Sequence, residues 1–428
     1  MSSRDEEIQA AAAVVATAAE CIAMLISSSN EAVASVVSVA AEDEDVIGRN
    51  IPHAAGNKYL RSSGALQDPS KSDWKLIDTR GRPKEFMHFM SLAGESFDDL
   101  VELCSKDVIA TPLRSYDGER KIGKPRPHDL KRRKHSPRDV IAMAVKWLTS
   151  TAEEKDLHVQ FGAIESTFNV CIWVGMKALV KNMADDARSR VFWNIADEDY
   201  LKRCADRTAD FDKVPNVVAA IDGYKIRAKN DENDRRQNDD FTGWKEAVFR
   251  DYVFVTDTEG KIVDAAVNWP GSMHDSKKAL WSHIYDHILK LPAPYRVAAD
   301  SAFRSTGPFK DKMHKTKWKK DKSTGWYVGV DDTGSQLTHL RQPAEWSNHC
   351  VGGVYRRLMC KLPTDNVKRG YILWSCVFLT NWRTSTMHRN QIDTYFAYLV
   401  EERRRRAAEA RSRDEGGGGA GPSGSSDT

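Results

Sequence analysis

The sequence predicts an α/β protein in which a helical region with helix-turn-helix character precedes a mixed-sheet core. Two observations carry that prediction. Up to about residue 183, apolar residues recur at helical spacing, as in SFDDLVELC and DVIAMAVKWL. After Asp210 the texture changes to short runs rich in Val, Ile, Ala and Tyr: VPNVVAAIDGYKIRA, DYVFVTDTEG, KIVDAAVNW and YRVAAD. Strands that give way to a helix and then to a further strand describe a mixed α/β layer.

The 428 residues exceed what one hydrophobic core ordinarily supports, so more than one domain is expected. Composition and punctuation divide the chain at 1–72, 73–205, 206–400 and 401–428. The first segment mixes Ala, Ser and acids without a sustained apolar period and reads as low-complexity. Its Ala/Val run carries Glu20, Asn30 and Glu31 and lacks a basic flank, so it does not read as a membrane span. Folded structure is expected from Trp74, with Ser96 ahead of Asp98 and Asp99 as a helix start.

Between Arg114 and His135 the chain is basic and rich in Pro and Gly, which suits an exposed loop; Lys131, Arg132, Arg133 and Lys134 are its densest patch. Such a patch suits phosphate contact or nuclear targeting, and equally a solvated loop. Ser136-Pro137 opens the next helix. In FGAIESTFNVCIWVGMKALVKNM a Gly-containing turn leads to a longer helix beginning near Glu165 or Ser166. A second helix of that kind would put Glu165, Ser166, Thr167 and Asn169 at the end that reaches base edges, whereas the same spacing also fits helices packed without touching DNA.

In the strand-rich half, TDTEGK reads as a hairpin turn between the second and third strands. The apolar run Tyr371 to Trp382 is too short to cross a bilayer and reads as a core helix. The final segment passes from Arg403–Arg406 to a Gly/Ser run that cannot build a core and should be flexible. The seven cysteines show no C-x-x-C pair or zinc-ligand spacing, which points to a reducing compartment, cytosol or nucleus. A net charge of only +3 says little about partners, so local clusters matter more than the total.

Three acids stand where strands end or give way to helices: Asp222 in AAIDG, Asp275 in PGSMHDS and Asp300 in VAADSAF. A fourth, Glu345 in AEWSNHC, sits in a helical pattern. Strand ends in an α/β sheet converge on one edge, so carboxylates distant in sequence can share a small volume. Carboxylates suit Mg²⁺ or Mn²⁺, hard ions that prefer oxygen ligands, and a pair of such ions activates an attacking oxygen and stabilises a leaving one. An Asp after a strand is also a common turn residue or helix cap, and Asp275 before Ser276 fits that reading as well.

The words around these acids, PNVVAAIDGYKI, DYVFVTDTEGKIVDAAVNWPGSMHDS, VAADSAF, AEWSNHCVGGVYRRL and LTNWRT, resemble the Harbinger (PIF-like) transposases and the nucleases derived from them. The similarity covers roughly Trp74 to Val400. It implies an RNase H-like core that cleaves and joins DNA with bound Mg²⁺ or Mn²⁺, with Asp222 ending the first strand, Asp300 ending the fourth and Glu345 as the helical acid of a catalytic triad. Asp275 matches a further acidic position near the metals, with His274 either beside them or structural. By the same resemblance the partners are transposon ends and target DNA, a Myb/SANT-type DNA-binding protein and further copies of the chain, with no membrane, acting in the nucleus. The rival reading is a domesticated DNA-associated or chromatin-complex protein that keeps the fold without cleaving; an RNase H-type enzyme acting on RNA is a third. Two features depart from the family pattern: the SAF that follows Asp300, and Pro343, either at the first helical position or inside a longer helix; between Asp300 and Glu345 there is also an expanded basic stretch, KDKMHKTKWKKDKSTGWY, with Trp318 and Trp326.

Overall fold

The computed structural model describes residues 68–111, 113, 133–315, 318–320, 327–329 and 332–416. Residues 1–67 of the first segment, Lys131 and Arg132, Trp326 and the Gly/Ser end, on which expectations fell, lie outside the described residues.

The helical half begins with α1 (Asp73–Arg80), α2 (Pro83–Met90) and α3 (Gly94–Ala110). Helix α3 starts two residues before Ser96, which is buried and exchanges a 2.7 Å hydrogen bond with the Thr386 hydroxyl instead of capping the helix. The expected start at Ser96 is thereby corrected. Ser136-Pro137 does open α4 (Pro137–Thr149), where the Ser136 side chain and Asp139 form a reciprocal cap. Asp139 also accepts a 2.8 Å hydrogen bond from the indole of fully buried Trp74, so the cap doubles as a tie between α1 and α4.

A short α5 (Glu154–Gln160) meets α6 (Glu165–Met183) at 90°, the angle of a helix-turn-helix pair. Helices α4 and α6 cross closely because Gly175 has no side chain: a Cβ there would stand 2.7 Å from the Ala144 Cβ and 2.9 Å from the Val140 carbonyl oxygen.

Helix α7 (Glu198–Arg207) leads into the sheet and buries Leu201 and Cys204 against it, so it crosses the expected boundary at 205/206 and belongs with the core. The sheet is built from β1 (Val217–Arg227), then, after α8 (Asp234–Asp240), from β2 (Phe241–Thr242), β3 (Ala247–Asp257) and β4 (Ile262–Pro270). Helices α9 (Asp275–Trp281) and α10 (Ile284–Lys290) precede β5 (Arg296–Ala299) and β6 (Met313–Lys315). Strands β7 (Trp318–Lys320) and β8 (Tyr327–Gly329) form a separate two-stranded ribbon.

In the main sheet β1 is flanked by β3, antiparallel, and by β5, parallel; β3 also pairs antiparallel with β4, and β5 parallel with β6. The turn after Asp257 is the hairpin that TDTEGK predicts. Three antiparallel strands continued by two parallel ones, with helices on both faces, make an RNase H-like core.

From Ala219 onward, alternation along β1 divides its side chains between two layers, and a register shift between Val217 and Ala219 resets the faces before that point. Ala219 and Ile221 share a core with α7, α9 and α10, whereas Ala220, together with Val217 before the shift, packs against α11 (Asp332–Val354) and α13 (Gln391–Gly416). Pro343 falls inside α11 and is not at its first turn. Between these last two comes α12 (Asn366–Met387), buried almost continuously from Arg369 to Trp382. It contacts α3, α6 and β4 and so joins the helical half to the sheet.

Helix α13 runs through residue 401 to Gly416, which corrects the expectation that a flexible tail starts at 401. Arg403 binds the Asp206 carbonyl oxygen at 2.6 Å and ties this helix to the end of α7. Among the described residues all cysteines are free, and no single helix is long and apolar enough to cross a membrane.

Candidate active site

Strand β1 is apolar and buried from Val217 to Ile221 and then turns polar, so its sixth residue, Asp222, is where the sheet interior opens. Asp222 lies in mid-strand, not at the strand end, a correction to its expected place. The parallel register pairs Ala220 with Ala298 and Ile221 with Ala299. One step further, Asp222 comes beside Asp300, the first residue after β5, at about the 4.8 Å spacing of neighbouring strands.

Ala220 and Ala298 both pack on Leu337, Leu340 and Ala344 of α11, so the two aspartates on the same strand faces lie toward that helix. Glu345 follows Ala344 at the edge of this contact, its side chain 57% exposed and 3.8 Å from Arg341 one turn earlier. The three acids therefore come from two adjacent strands and one crossing helix.

Their electrostatics agree with their geometry. Burial, followed by the charge of Asp300, pushes the Asp222 carboxyl up to about 7, with Glu345 adding to the rise and the Arg341 guanidinium opposing it. Asp300 accepts the Ala302 amide at 2.7 Å. Asn348, also on α11, donates its side-chain amide to Asp222 Oδ2 at 2.9 Å, while its own Oδ1 is buried without a hydrogen-bond partner.

Asp275 is placed differently. It opens α9 and lies against Gly223, where a Cβ would stand 2.6 Å from its Oδ2. Gly223 faces away from the Asp222 side, so Asp275 approaches β1 from the opposite layer. There Lys278, wholly buried, donates to Asp275 Oδ1 at 2.7 Å and also to Asp251, which Lys225 contacts as well. The structure thus sets Asp222 beside Asp300, with Glu345 near enough for its charge to act on Asp222, and places Asp275 in the other layer, where its charge is met by an ammonium group. His274 is exposed at the helix entrance and makes no capping hydrogen bond from its side chain.

Residues 221–381 match the family model of the DDE superfamily endonucleases. That stretch contains all four acids and Asn348, and it spans well under half of the chain. No curated protein and no solved structure matches. Similarity to these endonucleases supports nuclease or transposase chemistry on DNA with divalent metal ions, at the level of the superfamily.

The residues present suit such an ion. Three carboxylates supply the hard oxygen donors it prefers, and a cation would offset the burial and the neighbouring Asp300 charge that raise Asp222. Among the described residues, however, no three His, Cys, Asp or Glu side chains are gathered into a ready-made cage. Glu345 leans toward Arg341, and Asp275 is held by Lys278.

The residues expected to contact DNA are scattered in role. Glu165 and Ser166 are exposed at the start of α6, Thr167 is half-buried, and Asn169 donates to Glu154 of α5 at 2.6 Å, bracing the two helices. Arg133 binds the carbonyl oxygens of Val108 at 2.8 Å and Ile109 at 3.1 Å, closing the end of α3, while Lys134 is exposed. Sequence reasoning missed Asn348 and Arg341. Their spacing from Glu345, three residues after and four before, was the available signal, since both offsets share a helix side with it.

Proposed function

We propose that this chain is a transposase or transposase-derived endonuclease that cleaves and transfers DNA phosphodiesters. The observation that carries the reading is the side-by-side register of Asp222 and Asp300 under the helix that bears Glu345. Asp222, Asp300 and Glu345 would hold Mg²⁺ or Mn²⁺, and a pair of such ions, when bound, would supply activation of the attacking oxygen and stabilisation of the leaving one. Asp275 supports the site from the other layer, fixing the backbone at Gly223 next to Asp222.

Within the chain, Asp222 on β1 and Asp300 just after β5 supply carboxylate oxygens from fixed backbone positions, and Glu345 supplies an exposed carboxylate able to adjust its side chain. Arg341, beside Glu345, is a cation at the edge of the acids and suits the negative charge of a scissile phosphate. Glu165 and Ser166 at the start of α6, with Thr167 and Lys134, supply the DNA-reading surface of the helix-turn-helix. The Harbinger resemblance adds nuclear action on transposon ends and target DNA as a homo-oligomer, with a Myb/SANT-type protein sharing the binding.

The test is a nicking and strand-transfer assay on matched element ends with Mg²⁺ or Mn²⁺, comparing the wild type with Asp222→Asn, Asp300→Asn and Glu345→Gln. Metal-dependent activity lost in all three is expected. Equal activity in wild type and variants, in a preparation cleared of contaminating nucleases, rejects these residues as catalysts. One observation favours the domesticated, non-cleaving reading, namely that the Arg341 guanidinium stands 3.8 Å from Glu345 and meets its charge. Full DNA binding without cleavage under any metal condition would establish that reading.

A further inference from the structure

We infer that Asn348 is a positioning residue for Asp222, holding one carboxylate oxygen so that the other is presented to a divalent cation. The inference rests on the reading above that Asp222 binds such an ion.

Three observations converge on it. The Asn348 amide donates to Asp222 Oδ2 at 2.9 Å, across the junction of α11 and β1. Asn348 is only 6% exposed, so this contact is shielded from competing water. It stands on the same side of α11 as Glu345 and Gly352, and Gly352 lies so near the Tyr224 hydroxyl that a Cβ would approach it to 2.5 Å. Residues 222 and 224 share a face of β1, and residues 348 and 352 share a side of α11. The helix and the strand are therefore held in one register along both pairs.

A purely structural role accounts poorly for an amide at this position. Helix docking is already served by the preceding residue, Ser347, which accepts a 2.9 Å hydrogen bond from the buried Thr256 hydroxyl. The Asn348 Oδ1 is buried without a partner, a cost that an apolar residue of similar volume would avoid. What the amide provides, and an apolar side chain cannot, is a donor fixed on the Asp222 carboxylate. Groups that orient a metal-binding carboxylate in this way change metal affinity about 10- to 100-fold when removed.

The experiment is a calorimetric titration of the full chain with Mn²⁺, without DNA, on the wild type, Asn348→Leu, Asp222→Asn and the double variant. Asn348→Ser, too short to span the same hydrogen bond, is titrated in parallel as a milder change. Both Asn348 variants should bind Mn²⁺ about tenfold more weakly than the wild type. In the Asp222→Asn background, Asn348→Leu should weaken binding no further. In cleavage assays, raised Mn²⁺ should restore Asn348→Leu but not Asp222→Asn. Unchanged Mn²⁺ affinity in a folded Asn348 variant overturns the inference, as does an equal loss with and without Asp222. A wild type that binds no Mn²⁺ overturns the metal reading itself, so the two failures are told apart.

Discussion

At Asp222 the chain keeps a carboxylate where its ionised form is disfavoured. Its value in the fold, about 7, lies above the ordinary 3.8, so between those pH values the folded protein binds the proton that the unfolded chain has released. Stability contributed through this group therefore falls as pH rises from about 4 to about 7, and the full cost is present above that window. Asp222→Asn removes the charge, and at pH 8 without divalent ions it should stabilise the protein by roughly 2–4 kcal/mol while abolishing cleavage. Denaturant titrations at pH 5 and pH 8 check this, and a variant no more stable than the wild type at pH 8 contradicts it. Metal binding needs the ionised form, so Mn²⁺ affinity should weaken as pH drops below about 7 and level off above it.

The buried Lys278 stands at the same scale. It pairs with Asp251 and Asp275 where neither Lys278 nor Asp251 meets solvent. Lys278→Met should cost about 3 kcal/mol, the lower end for a broken buried pair, because Lys225 still reaches Asp251. Urea unfolding measures it, and a loss below about 1 kcal/mol would show the pair to be dispensable. The acids of the site were legible in the sequence because each sits in a short recognisable motif, even though Asp222 falls in mid-strand and Glu345 in mid-helix. Lys278 carries no such motif, and nothing local in the sequence reveals that its helix turns it inward.

Among the elements, the helix-turn-helix depends on a crossing that one missing side chain permits. Gly175 meets the Val140 backbone as well as the Ala144 side chain, and backbone cannot move aside cheaply. Gly175→Val should separate α4 from α6 and destabilise the protein by about 1–3 kcal/mol, the range for overpacking a filled core. It should also weaken DNA binding if α6 presents its first turn to the duplex, whereas a stability loss with unchanged DNA affinity would remove α6 from the interface. Thermal unfolding and a fluorescence anisotropy titration on duplex DNA read the two effects separately.

Element existence was legible here from apolar spacing, and the start of α4 from its Ser-Pro cap. The start of α3 was misread because Ser96, a residue type that favours caps, is consumed instead by a contact with Thr386 far along the chain. Which face of β1 an acid approaches was equally hidden. Asp275 reads as a neighbour of Asp222 in motif order, yet strand alternation and the helix after β4 deliver it to the opposite layer.

Across the whole molecule, α12 is the shared wall between the helical half and the sheet. Its Asn381 donates to the Ile262 carbonyl oxygen at 2.8 Å and the Arg190 carbonyl oxygen at 3.2 Å, and accepts the Ile262 amide at 2.8 Å. Trp382, next to it, is fully buried and donates to the Ser96 carbonyl oxygen of α3 at 3.1 Å. The division at 205/206 drawn from composition marks where helices give way to strands, but composition cannot register that a late helix returns to pack on the early ones. Two halves joined by a buried helix, and again where Arg357 donates to the Trp147 and Ala152 carbonyl oxygens, should unfold together rather than in separate steps. Asn381→Ala leaves the Ile262 amide and carbonyl without their partner inside the protein and should cost about 2–4 kcal/mol. Because that loss falls on the junction, it should lower the unfolding midpoints of both halves. Calorimetry supplies the overall transition, and hydrogen exchange followed separately in α4 and in β3 supplies the local ones. Loss of protection confined to β3, with α4 unchanged, would mean that the helical half stands without the sheet and that α12 does not couple them.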